Sequence, residues 1–202
     1  MAEGIIYDMF DADKHVQKIT DFFRCLKDGG RYVSCDYGTQ NATVFLLWNK
    51  GNNGKWYCVR EYYYSGRAKG KQKTDGEYAD DFEKWLDGVP IRAVIVDPAA
   101  ASFIAELRKR GYRVLKADND VEDGIREVAS MLNMGLLVFC DTCINTIMEF
   151  GSYIWDEKAA QQGEDRPVKE NDHAMDAVRY FVYTILSKRT GRVKNKAKYG
   201  FD

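Results

Sequence analysis

Two runs rich in β-branched and aromatic residues, ATVFLLWNK (42–50) and KWYCVREYYY (55–64), are separated only by GNNG (51–54). Gly and Asn accept the positive φ that a tight reversal needs, so this spacing predicts an antiparallel hairpin. RYVSCDYG (31–38) is a third β-rich run just ahead of it, and the three make an antiparallel opening. The pattern then changes. TDGEYADDFEKWLDG (74–88) carries Thr74 and Glu77 at capping-box spacing, with Tyr78, Phe82, Trp85 and Leu86 as an apolar stripe, which predicts a helix ending at Gly88. The apolar strand IRAVIVD follows, then a helix from about Ala99 to Arg110, a strand YRVLKA, a helix from about Val121 to Met134 and a strand GLLVFC. The order β-β-β-α-β-α-β-α-β, followed by more helix, is that of an α/β domain in which three antiparallel strands are extended by parallel ones.

At 202 residues, 45% of them hydrophobic, the chain suffices for one well-buried core and is too short to need two. No apolar run reaches membrane-spanning length, and the acidic start MAEGIIYDMFDADK is not a secretory signal, so a soluble intracellular protein is expected. Residues 1–30 read as an extension ahead of the domain, 31–187 as the domain, 188–202 as a basic tail, and QQGEDRPVKEN (161–171) as a mobile loop. Of five cysteines, only Cys140 and Cys143 form a CxxC. A structural zinc would want a second such pair, so buried thiols are the expected reading. Net charge is −1, yet bases cluster in GRAKGKQK (Arg67, Lys69, Lys71, Lys73), in RKRGYR and in the tail SKRTGRVKNKAK. Each cluster alone reads as a solvated loop or helix end; three together point toward a polyanion.

The acids complete the pattern. Asp36 ends the first strand and is followed closely by Gly38, while Asp97 ends AVIVD. Open α/β sheets place their sites at strand ends, and two such acids on neighbouring strands would lie roughly 5 Å apart, repelling each other unless a cation intervenes. In NDHAMDAVRY (171–180), helical spacing of ~100° per residue gathers Asp172, His173, Asp176 and Tyr180 on one face, with Ala174, Val178, Phe181, Val182 and Ile185 opposite. A helix that buries its far side holds such oxygen and nitrogen ligands still. The competing reading makes Asp172 an N-cap and Asp176 the partner of Arg179.

CDYGTQNATV, IVDPAA and NDHAMDAVRY, in this order and around these strands, resemble the nuclease domain of tailed-bacteriophage terminase large subunits. The similarity runs from about Arg31 to Ile185, and IYDMFDADKHV resembles the segment that joins this domain to the packaging motor. The resemblance implies a ribonuclease H-like fold with a mixed five-stranded sheet flanked by helices. It also implies two divalent ions, Mg2+ or Mn2+, held by Asp36, Asp97, and His173 or Asp176, with Asp172 as a further candidate. The implied activity is metal-dependent endonucleolytic cutting of concatemeric viral DNA during packaging, in the cytoplasm of the bacterial host. Double-stranded DNA, the terminase small subunit and the portal are the implied partners; Arg67, Lys69, Lys71 and Lys73 would contact DNA, and no membrane is involved. The chain contains no G-x-x-x-x-G-K-[ST], so it is expected to cut DNA without hydrolysing ATP. The alternatives are a ribonuclease H-like nuclease of junction-resolvase or transposase type, or a non-catalytic nucleic-acid-binding or assembly module whose acids are structural.

Overall fold

The computed structural model describes residues 3–38 and 41–187. In chain order its elements are α1 (Ala12–His15), β1 (Val16–Gln17), α2 (Ile19–Phe22), β2 (Tyr32–Asp36), β3 (Ala42–Lys50), β4 (Trp56–Ser65), α3 (Gly66–Lys69), α4 (Asp75–Leu86), β5 (Ala93–Val96), α5 (Ala101–Lys109), β6 (Val114–Lys116), α6 (Val121–Asn133), β7 (Leu137–Cys140), α7 (Ile144–Ser152), α8 (Glu157–Ala160) and α9 (His173–Phe181). A π-helical turn, Val182–Leu186, continues α9.

One sheet of seven strands carries them in the order β1-β7-β4-β3-β2-β5-β6. β2, β3 and β4 pair antiparallel as the hairpin signal requires. β5 and β6 add parallel on the β2 side, β7 and β1 parallel on the β4 side. The five strands implied by the resemblance are therefore two too few. All six β-rich runs of the sequence form strands, and the seventh, β1, is a two-residue strand that pairing with β7 alone makes visible.

Each face of the sheet has its own apolar layer. One gathers Trp48, Phe139, Val178 and Phe181 under α6, α7 and α9; the other gathers Phe45, Tyr78, Phe82 and Phe103 under α4 and α5. Alternation decides which way each strand-end acid points. Tyr32 in β2 and Ala93 and Ile95 in β5 belong to the α9 layer, while Val33, Cys35, Val94 and Val96 belong to the other. Asp36 and Asp97, each an even step from those first residues, therefore rise on the α9 side. Cys35 pairs with Val96, so the two acids leave adjacent strands side by side.

The segment ahead of Arg31, expected to lie outside the core, instead forms part of it. Tyr7 is buried and stacks on Tyr153, Phe10 lies on Phe150 with ring centroids 4.0 Å apart, and Phe22 stacks on Tyr57. Buried His15 accepts from Asp11 N at Nδ1, and its Nε2 lies 3.0 Å from Leu132 O, a structural role. The aromatic content of this segment suffices to dock it, whatever it joins. The loop 161–171, expected to be mobile, is pinned where Pro167 bridges Trp155 and Val168 N donates to Ile154 O. Cys140 and Cys143 are buried thiols, as expected. The basic tail, 188–202, lies outside the described residues.

Candidate metal centre

A cleft of 340 Å³ opens at the ends of β2 and β5 beneath the start of α9, lined among others by Asp36, Asp97, Asp172, His173 and Asp176. All the candidate ligands thus reach one cavity. His173 Nδ1–H donates to Asp36 Oδ2 at 2.9 Å, joining the end of β2 to the start of α9. Asp97 Oδ2 accepts from the Tyr180 hydroxyl at 2.7 Å and its Oδ1 accepts from Ala99 N, so this carboxylate is oriented at both oxygens. Beyond β2 the chain turns at Gly38, whose N and O both bond the Thr43 hydroxyl, which sets the rim of the cleft.

Asp172 occupies the N-cap position of α9, but its side chain makes no capping bond. Its carboxylate lies instead 3.4 Å from Lys169 Nζ and 3.9 Å from His173 Nδ1. The capping reading of Asp172 is thereby corrected. The bonds it would make are made by Glu149 of α7, whose Oε2 accepts from Ala174 N and Met175 N at 2.7 and 3.1 Å. Asp176, for its part, does pair with Arg179, at 2.8 Å, and also faces Lys169 Nζ at 3.6 Å. Arg179 is buried, and its Nη1 donates to the carbonyls of Asn119 and Asp120. The helix therefore has no solvated face: from Ala174 to Phe181 every residue is buried, and the polar side seals a cleft.

The electrostatics are those of an acid-rich pocket short of positive charge. Burial above all, with Asp176 and Asp172 adding, pushes Asp36 up to about 6 against the pull of His173. Burial lowers the His173 imidazole, but the Asp36 hydrogen bond and the surrounding carboxylates outweigh it and hold the group above its ordinary value. Lys169 and Arg179 are the nearby cations. Four carboxylates and an imidazole form a hard, oxygen-rich donor set suited to Mg2+ or Mn2+. Among the described residues no three of these side chains close tightly enough to encircle an ion by themselves. The donors fit such an ion in chemistry, and they line one cleft.

Residues 34–184 match the terminase RNaseH-like domain family. The chain belongs to that family. This terminase domain is 54% identical to the large terminase of a thermophilic bacteriophage, solved in complex with ADP, with a TM-score of 0.85 over 92% of this chain and 46% of that one. It is 26% identical over 193 residues to the terminase large subunit of Escherichia phage T5, covering 91% of this chain and 42% of that protein. The terminase domain thus spans less than half the length of these relatives. The P22 large terminase nuclease domain shares the fold at 19% identity, with a TM-score of 0.70 and coverage of 92% and 93%. So does the large terminase nuclease of thermophilic phage G20c, solved with bound cobalt, at 12% identity, TM-score 0.61 and coverage of 90% and 97%.

Several residues that line the cleft or support its lining were not legible in advance. Lys169 lies in the stretch read as a mobile loop, and Asn119 at the cleft wall follows β6. Glu149 left one trace, a lone acid inside the apolar helix INTIMEFGS. Gly124 of α6 gives way to Arg179: a Cβ there would sit 2.5 Å from Arg179 Cγ. Of the basic residues expected on DNA, Arg67 and Lys69 lie on the exposed turn α3, and Lys71 pairs with Glu77. Lys73 is bound to Asp81 with its ammonium 4.0 Å from the Tyr64 ring centroid, so it braces α4 against β4.

Proposed function

We propose that this domain is a metal-dependent endodeoxyribonuclease that cuts concatemeric viral DNA during genome packaging in the host cytoplasm. The reading rests on one observation above the rest: Asp36, Asp97, Asp172, His173 and Asp176, from two strands and one helix, line a single cleft in a terminase RNaseH-like domain. Asp36 and Asp97 would hold divalent ions together with His173 and Asp176, and Asp172 is aimed to join them. Divalent ions held there would supply the positive charge that activates a water and stabilises the leaving oxygen in phosphodiester hydrolysis.

The chain's own residues do the rest. Tyr180 and Ala99 N fix the Asp97 carboxylate, Arg179 fixes Asp176, and His173 and Asp36 orient each other. A second hollow, lined by Asn41, Arg67, Lys169 and His173, shares residues with the acidic cleft and leads to the loop around Arg67 and Lys71. A DNA strand following it would meet Arg67 and Lys69 through phosphates, without base reading. The small subunit and the portal, like the duplex itself, belong to this reading as partners of the whole large subunit.

Incubation with supercoiled plasmid tests it. Nicked and linear products should form with Mn2+ or Mg2+ and vanish with EDTA or in Asp36→Asn. Cutting that persists under chelation would sink the proposal.

A further inference from the structure

We infer that Glu149 is a positioning residue of the metal site: by capping α9 from a neighbouring helix, it keeps the Asp172 carboxylate turned into the cleft. The inference rests on the metal-nuclease reading above. The first N–H groups of a helix have no partner within it, and an aspartate at the N-cap is among the best residues to satisfy them. Asp172 stands at that position with a free choice between two duties. Its backbone, at φ −115° and ψ 2°, is not in the extended region usual for a capping residue, and its side chain makes no cap bond. Glu149 supplies the bonds instead, with Oε2 to Ala174 N and Met175 N.

Glu149 is only 4% exposed, and its remaining oxygen accepts the Tyr63 hydroxyl of β4 at 2.8 Å. Both of its oxygens accept hydrogen bonds from the protein and, unlike Asp97, it does not line the cleft, so it acts on the site through its neighbours rather than as a ligand. Three elements meet at this carboxylate: β4, α7 and α9. A buried acid is a costly way to cap a helix that already carries a good capping residue. What the arrangement yields is an Asp172 free to face Lys169 and His173. One carboxylate cannot both fold back onto its own helix start and point into the cleft.

A double-mutant cycle of Glu149→Ala and Asp172→Ala tests this, with melting temperature read in EDTA and Mn2+ affinity read by calorimetry. In the wild-type background Asp172→Ala should weaken Mn2+ binding and leave the melting temperature nearly unchanged. Glu149→Ala alone should lower Mn2+ affinity by about 10–100-fold, as loss of an outer-shell partner does. In that background Asp172 takes over the cap. Asp172→Ala should then lower the melting temperature by a further ~2–4 °C, with no comparable further loss of Mn2+ affinity.

Glu149→Gln, whose amide oxygen can accept both N–H groups, should restore Mn2+ affinity. Should Glu149→Ala not yield folded protein, Glu149→Asp, one methylene too short to reach α9, carries the same cycle. Equal effects of Asp172→Ala in both backgrounds, with Mn2+ binding intact in the wild type, would overturn the role of Glu149 alone. A wild-type protein that binds no Mn2+ would overturn the metal reading and this inference with it.

Discussion

His173, Asp172 and Asp176 stand within one turn of one helix, yet their surroundings assign them different tasks. His173 is tied to Asp36, so His173→Ala should slow cleavage and lower the ratio of Mn2+- to Mg2+-supported rates by removing the nitrogen donor. Asp176 carries the buried Arg179, which makes alanine a poor probe, since it would leave a buried guanidinium unpaired. Asp176→Asn keeps an acceptor for Arg179 and should abolish cleavage as fully as Asp36→Asn, with a smaller loss of melting temperature than Asp176→Ala. Cutting at the wild-type rate would remove Asp176 from the ligand set.

Glu149 allows a pH test of the same region. Burial first, only partly offset by its bonds from Tyr63, Met175 and Ala174, raises its carboxyl from 4.5 to about 7. The folded state then holds this proton more tightly than the unfolded chain, so unfolding releases it and stability falls as pH rises between those values. The effect is on the order of 3 kcal/mol across the window. Asp36 and His173, both raised, push the same way, the stability from each being lost as pH climbs through its folded value. Urea unfolding in EDTA at pH 5 and pH 8 should therefore show a smaller difference in Glu149→Gln than in the wild type.

At the scale of elements, α6 and α9 meet through a glycine and an arginine. Helix propensity alone makes Gly124→Ala favourable by about 1 kcal/mol. The new Cβ would sit 2.5 Å from Cγ and 2.7 Å from Cδ of an arginine held at its far end by Asp176, Asn119 and Asp120, so it cannot swing aside. Overpacking of this kind costs about 1–3 kcal/mol, and the expected outcome is a net loss of stability together with slower cleavage. A more stable, fully active Gly124→Ala would show that Arg179 does not hold Asp176 in place. Sequence patterning did reach this scale: the Thr74–Glu77 capping box forms, and α5 and α6 lie within two residues of the expected ends.

At the scale of the whole molecule, the charge clusters divide by what the fold does with each. Arg67 and Lys69 project from α3, whereas Lys73 is taken up by Asp81 and Tyr64. Arg67→Ala and Lys69→Ala should each reduce the slope of log affinity against log salt by about 1 for a catalytically inactive domain on duplex DNA. Lys73→Ala should leave that slope unchanged and cost about 1 kcal/mol of stability. Filter binding across a salt series beside thermal melts separates the two, and a changed slope for Lys73→Ala would return it to the DNA surface. The membrane plays no part in this reading, and among the described residues no helix is long and apolar enough to span one.

The sequence by itself determined the strand hairpin, the alternation that follows it, the strand ends bearing Asp36 and Asp97, and the helix bearing His173 and Asp176. These are local: each follows from side-chain period, turn chemistry or caps within a dozen residues. Only the tertiary structure decided which partners meet across the chain. The Asp36–His173 contact spans 137 positions, and β1 is a strand only because β7 lies beside it. The cap on α9 comes from Glu149, which no periodicity could pair with Ala174 and Met175. Asp172 shows why. Its residue type and place both favour capping, but a backbone N–H takes whichever acceptor packing brings within reach, and packing brought another carboxylate.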